Sequence, residues 1–330
     1  MKKIDILSIG DLVIDAFIKL EDATINCDID KQNCKLCVSF GDKVPYESVE
    51  VCTAVGNGPN ASVSAARLGL SSALFSYVGE DANGKDCLKE LQKNRVDTRY
   101  VHMETGKKTN YHYVLWYDVD RTILIKHEEF SYNLGEIDKP KWIYLSSLSQ
   151  HSVGFHKHIE NYLEKNPEVK LAFQPGTFQI KMGIKALSKI YKNTEIFFCN
   201  VEEAQRILNI ASRDLPTLLK SVAKLGPKIV VITDGFAGAY AYDSKSNSSW
   251  LIPIYPHTPF ERTGAGDAFS STIVTALALG KSLEEALLWG PVNSMSVVLQ
   301  VGAQKGLLSR EKLEEHLKKA PRSFKLEKLN

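Results

Sequence analysis

The chain has 330 residues, 44% hydrophobic and 24% charged, and its 41 Lys and Arg against 39 Asp and Glu leave a net charge of +2. This suits an ordinary globular protein of one large or two moderate domains, and without a basic tract it argues against nucleic acid or a membrane surface as partner. No apolar run reaches membrane-spanning length, and Asp5 comes too early for a signal peptide, so the cytoplasm is the expected compartment.

Ile4–Gly10 reads as a mostly apolar inner strand running into a glycine. Asp11 and Asp15 follow it, where ligands of open α/β sheets sit, and a carboxylate there can accept from two hydroxyls of a polyol. Asp is also common in plain turns. Residues 16–55 hold short alternating strands with polar spacers, among them Phe17–Leu20 and Val49–Thr53. The six cysteines, at 27, 34, 37, 52, 87 and 199, are too sparse for a disulfide framework and read chiefly as reduced thiols. Cys34-Lys-Leu-Cys37, with Cys27 before it, nevertheless has the look of a structural zinc site, with Cys52 as the nearest fourth ligand.

Gly56-Asn57-Gly58-Pro59-Asn60 opens a short helix that Gly69 closes, a framing by proline and glycine. Tyr111–Tyr117 and Thr122–Lys126, around the turn-like Asp118–Arg121, predict a hairpin that is aromatic and β-branched on both arms. A βα rhythm follows. Strands are expected at Trp142–Ser146, Val169–Phe173, Glu195–Cys199 and Lys228–Thr233, with helices near 154–165, 179–192, 201–209 and 214–225. Such alternation implies a parallel sheet covered on both faces. Asn200-Val-Glu-Glu203 opens a helix, where early acids suit its dipole. Val230–Ala239 reads as a strand, a glycine turn and a second strand.

Thr263-Gly264-Ala265-Gly266-Asp267 comes next, ahead of the small and apolar helix 268–279 stopped by Gly280. Two glycines let a ligand approach the main chain. Unpaired N–H groups at such a helix start favour an anion, most often phosphate. Asp267 would repel a phosphate that was only held. Beside a transferring phosphoryl group, it makes sense as the base for an attacking hydroxyl. Ser282-Leu-Glu-Glu285 is a capping box for the helix carrying Trp289, Asn293 and Val297, and a last solvated helix is expected over 309–319.

The string from Arg262 to Phe269 closely resembles the C-terminal signature of the ribokinase-like (PfkB) kinases of sugars and nucleosides. Gly56 to Gly69 resembles their N-terminal signature, with Val55 in place of its first glycine and Gly56 and Asn60 in register. The resemblance runs from Ile4 to about Gly306. It implies an α/β fold of three layers, α/β/α, with a mostly parallel central sheet. The whole of 1–330 would form one domain, with a small inserted β lid from about 16–55 and 108–130.

It also implies roles. Gly264, Ala265 and Gly266 would form the backbone anion hole, and Asp267 would be the catalytic base. Asp15, in preference to Asp11, would hold sugar hydroxyls together with Gly56 and Asn60. Asn200 and Glu203 would organise Mg²⁺ through water, Thr233, Gly235 and Gly238 would meet the nucleotide, and Asn293 would lie near its adenine. Glu261-Arg262 departs from the family's usual Asp-Thr, which leaves a monovalent cation site open and makes Arg262 a candidate partner of an anionic substrate group or a salt bridge. The implied reaction moves the γ-phosphoryl of ATP to a hydroxymethyl group of a sugar. A nucleoside acceptor is the alternative, because Tyr111, Tyr113 and Trp116 could stack on a base. Arg262 motivates a sugar phosphate. A non-catalytic sugar or nucleotide sensor would keep the fold without turnover, against which the intact Asp267 stands. ADP is an open alternative donor, and a homodimer through the lid is the candidate assembly.

Overall fold

Ile6–Ile9, buried along its whole length, is the strand from which the main sheet grows. Ser72–Gly79 and Trp142–Leu145 flank it, both parallel to it. Asp97–Glu104 closes one edge. On the other side Lys170–Phe173, Thr194–Asn200 and Ile229–Thr233 continue in parallel. Three antiparallel strands, Ala239–Asp243, Ser248–Ile252 and Glu327–Leu329, complete ten. The computed structural model describes residues 3–27, 34–118 and 120–329, so the middle of the cysteine segment and Val119 of the predicted turn lie outside the described residues.

Inner strands buried on both faces need two covering layers. Leu7 and Ile9 join one core with Phe155, Leu163 and Val222, while Ile6 joins the opposite core with Ile273 and Val292. The chain is thus the expected three-layer α/β/α structure with a mostly parallel sheet. The predicted helix over 179–192 is in fact two, Thr177–Ala186 and Ser188–Asn193, with Gly183 at φ 81° interrupting the first. The other predicted helices lie within a few residues of their expected bounds, and the Ser282–Glu285 capping box is formed.

Two glycines bring the first strand against the first helix. A Cβ on Gly10 would lie 3.1 Å from the Gly58 backbone, and one on Gly58 would lie 2.9 Å from the Gly10 Cα. Only with both side chains absent can Asn57–Arg67 start so close to the end of Ile6–Ile9. This contact sets Asn57 and Asn60 beside Asp11.

A second, four-stranded sheet stands over the same strand ends. Its order is Tyr46–Val55, Val13–Leu20, Asn110–Tyr117 and Asp120–Leu124. The predicted hairpin is its outer half, with Tyr117 paired to Asp120 and Tyr113 to Leu124. Asp15 is in register with His112 on the next strand, so both project from the same face.

The zinc expectation for Cys27, Cys34 and Cys37 does not hold. Thr24–Asn26 pairs with Lys35–Cys37, which brings residues 27 and 34 together at the end of the pair, and Cys27 and Cys34 are joined in a disulfide. Disulfide sulfurs offer no thiolate to a metal. Among the described residues no group of three His, Cys, Asp or Glu could hold one. Cys52 lies on the second sheet, its thiol pushed up to about 12 by burial. Among the described residues no helix is long and apolar enough to cross a membrane.

Candidate active site

The cleft between the two sheets has a volume of about 450 Å³. Its catalytic edge is the start of the helix Ala265–Ala278. Gly264 is the N-cap in the left-handed region (φ 79°, ψ 0°), and no side chain caps this helix. The helices opened by Asp81, Asn200, Asp214, Ser282 and Ser309 are all capped by their own side chains. The Gly264 terminus has no such cap, its Ala265 N makes only a long 3.4 Å bond to Arg262 O, and the helix dipole favours an anion there.

Asp267 projects from the first turn of this helix and is 8% exposed. Three amides hold it. Asn57 Nδ2 donates to Oδ1 at 2.7 Å, Gln174 Nε2 to the same oxygen at 3.2 Å, and Asn60 Nδ2 to Oδ2 at 2.8 Å. Burial is the largest influence on its carboxyl and raises its pKa above the ordinary 3.8, while the three donors pull it down. The amides are themselves fixed. Gln304 Nε2 donates to Asn60 Oδ1 at 2.9 Å, and Tyr144 and Ser270 donate to Gln174 Oε1.

Two carboxylates stand across the cleft. Asp11 accepts from the Tyr132 hydroxyl at 2.6 Å and faces His127 Nδ1 at 3.2 Å. Asp15 faces His112 Nδ1 at 3.3 Å. Asp11 Oδ2, Asp15 Oδ1 and His112 Nε2 are buried without a hydrogen-bond partner in the protein. Such atoms cost free energy unless a ligand satisfies them. Gly56 lines the cleft beside them.

Glu203 and Asn200 line the far end. They form a reciprocal cap, with Asn200 Oδ1 accepting from Glu203 N at 2.7 Å and Glu203 Oε2 accepting from Asn200 N at 2.9 Å. Burial raises the Glu203 pKa, and Asp267 adds to the effect.

Thr233 links the cleft to a smaller cavity of about 170 Å³, lined by Gly235, Gly238, Ile252, Tyr255 and Met295, which also shares Ala265 and Gly266 with it. Arg262 lines the cleft and, among the described residues, makes no salt bridge. Its guanidinium lies 4.7 Å from the ring centre of Phe236 in the glycine turn. Glu261 is 2% exposed and accepts from Thr263 N and Oγ1 at 2.7 and 2.6 Å, which braces the approach to the glycines.

Asn293 is placed elsewhere. It is fully buried, donating to Thr272 Oγ1 at 2.8 Å and accepting from Leu308 N at 2.9 Å, and it lines neither cavity. It ties two helices and a loop together. Tyr111, Tyr113 and Trp116 also stay off the cleft. Trp116 donates to Asp118 O and packs on Phe260, while Tyr113 is exposed. The ring beside the acceptor end is Phe178, edge-on to His127.

Asn57, Gln174, His112, His127 and Arg121 were not singled out by the sequence. Asn57 sits inside the Gly56–Asn60 loop, and Gln174 follows a strand end as Asp11 does. The register of the second sheet, which no local pattern encodes, brings in His112.

A buried carboxylate beside a helix start without a side-chain cap, at the strand ends of an α/β sheet, is compatible with phosphoryl transfer to an alcohol. Residues 13–310 match the model of the pfkB family carbohydrate kinases. The ribokinase of Bacillus subtilis is 27% identical over 268 residues, which covers 79% of this chain and 87% of that protein. The ATP-dependent 6-phosphofructokinase of Thermoanaerobacterium thermosaccharolyticum is 25% identical over 320 residues, 92% of this chain and 90% of that one. Among solved structures, the ribokinase of Arabidopsis thaliana complexed with ribose and ATP has a TM-score of 0.78 at 18% identity, covering 96% of this chain and 99% of its own. The chain belongs to the pfkB family and is an ATP-dependent carbohydrate kinase.

Proposed function

We propose that the enzyme moves the γ-phosphoryl of ATP to a hydroxymethyl group of a sugar. Asp15, Asp11 and Asn60 orient the acceptor, whose donor hydroxyls satisfy the buried carboxylate oxygens. Asp267 takes the proton of the attacking hydroxyl. The amides at Gly264–Gly266 receive the charge that develops on the phosphoryl oxygens. The nucleotide runs from these amides past Thr233 to the apolar cavity by Gly235 and Gly238, with Arg262 at its flank. Asn200 and Glu203 hold Mg²⁺ through water, and the ion when bound neutralises phosphate charge. The second sheet acts as a lid of the single kinase domain and keeps water from the phosphoryl group. Two copies pair through its outer face, where Val49, Val51 and Tyr113 are exposed.

What carries this proposal is the position of Asp267, buried, amide-held and seated at an uncapped helix start that opens on the acid-lined cleft. The test is ATP consumption over a panel of free sugars, nucleosides and sugar phosphates. Acceptors are first sorted by the rise in melting temperature they cause with Mg-nucleotide present. A free sugar should be the best acceptor, and Asp15→Asn should raise its KM about 10–100-fold while the KM for ATP stays put. Turnover on no acceptor would leave only a sensor. A sugar phosphate is the second acceptor class, favoured by Arg121, which lines the cleft, pairs through Nη1 with Glu261 at 3.6 Å, and leaves its Nε buried without a hydrogen-bond partner. Preference for the phosphorylated member of a sugar pair, lost in Arg121→Ala, would select it.

Glu203→Gln provides a separate check on the ion. The Mg²⁺ concentration for half-maximal rate should rise about tenfold, with the acceptor KM unchanged. An unaltered Mg²⁺ dependence would remove Glu203 from that role.

A further inference from the structure

A second concavity, of about 570 Å³, opens where the ends of the helices Asn57–Arg67, Ala82–Lys93 and Leu283–Val297 meet the start of Arg310–Lys318. It shares no lining residue with the catalytic cleft. Five lining side chains are cationic, Arg67, Lys93, Arg95, Lys305 and Lys312, and none is acidic. In a chain with 41 basic and 39 acidic residues, such segregation is not the background.

The nearby acids do little to cancel this charge. Lys93 reaches Glu90 at 3.4 Å and Lys305 reaches Glu50 at 3.5 Å, both through solvent-exposed ammonium groups. Arg95 and Lys312 have no carboxylate at salt-bridge distance among the described residues. Arg67 is half-buried and donates only to neutral acceptors. These are Asn94 Oδ1 at 2.8 and 3.2 Å and the carbonyls of Gln304 and Leu307 at 2.7 and 3.0 Å. Arg95 follows the Asn94 cap with φ 62°, a left-handed position that glycine commonly fills at a helix end. The chain accepts that strain with a cation placed at the mouth of the concavity.

The volume falls in the range of small-molecule sites. Five guanidinium and ammonium groups, with Glu90 and Glu50 as their weak, exposed counter-charges, suit an anion with several negative charges, as phosphate provides. Nucleic acid would call for a basic stripe across the surface, not a cluster confined to one open concavity. We propose that this concavity is a second ligand site, for a small molecule carrying two or more phosphate groups.

Calorimetric titration of sodium tripolyphosphate into the full-length protein, without divalent metal and in 0.15 M salt, tests this. The salt screens charge beyond about 8 Å, so distant effects on the catalytic cleft are damped. The double variant Arg95→Glu/Lys312→Glu changes two exposed side chains and should keep its melting temperature and its KM for ATP. Its tripolyphosphate affinity should fall at least tenfold. Equal affinity of variant and wild type would place all binding at the catalytic cleft and overturn the proposal, as would an absence of saturable binding or tighter binding of a single-stranded oligonucleotide. A sugar bisphosphate and a nucleoside triphosphate, titrated into the same two proteins, distinguish which scaffold carries the phosphates.

Discussion

Asp267→Asn is expected to lower kcat by about three orders of magnitude, with Mg-ATP binding within about twofold of wild type. The asparagine keeps the volume of the side chain, and its one carbonyl oxygen can accept from Asn57 and Gln174. Its Nδ2 then faces Asn60 Nδ2, which Gln304 holds as a donor, so that one contact is lost. What the variant lacks for the proposed reaction is the ability to take a proton at the moment the hydroxyl attacks, so kcat and kcat/KM should drop together. The wild type adds a pH signature. Burial raises the Asp267 carboxyl above 3.8, and the base must be ionised to act. Activity is therefore present above the shifted pKa and lost as pH falls through it, with the acid limb of kcat/KM above 3.8. Residual activity of the variant should lack that limb. A variant with kcat within tenfold of wild type would show that the proton leaves by another route.

The site divides into what local pattern encodes and what tertiary pairing creates. The helix start at Gly264–Asp267 was legible because its chemistry is contiguous: glycine turn, amides and carboxylate occupy consecutive positions. The strand ends that carry Asp11 and Asp15 were legible for a similar reason, since an apolar run into glycine is itself the signal of an inner strand. The amide cage around Asp267 was not. Asn57 and Asp267 are 210 positions apart, and the packing of the two helices that carry them brings them within bonding distance. Strand register sets His112 against Asp15, and the segment after the outer strand brings His127 to Asp11, neither of which a local pattern encodes. Asn293 fails in the opposite sense. An amide on an apolar helix resembles a binding group, yet its partners are a threonine one helix away and the Leu308 amide. The cysteines misled because their spacing suits a metal as well as a short strand pair, and the pairing that decides between them is tertiary.

Gly264→Ala is expected to cost both stability and turnover. The residue sits at φ 79°, where an L side chain is strained, and a Cβ there would lie 2.4 Å from Ala303 Cβ and 2.5 Å from its Cα. Backbone strain of this kind costs about 1–3 kcal/mol, and forcing an extra carbon into packed surroundings adds about the same. The collision involves main chain, so no rotamer relieves it. Either the helix start or the 302–304 segment has to move. Movement of the first displaces the amides of residues 264–266. Movement of the second shifts Gln304, which holds Asn60, which in turn holds Asp267. Both displacements reach the phosphoryl group, and misplacement of about 1 Å is enough for a 100-fold loss. Urea denaturation should show a lowered midpoint with an unchanged slope, and kcat measured where the variant is still folded should be down about 100-fold. Ala303→Gly in the Gly264→Ala background removes the Cβ clash alone and should restore part of the stability, leaving the strained φ in place. Wild-type kcat in the folded Gly264→Ala protein would mean that these amides do not bear on the transferring group.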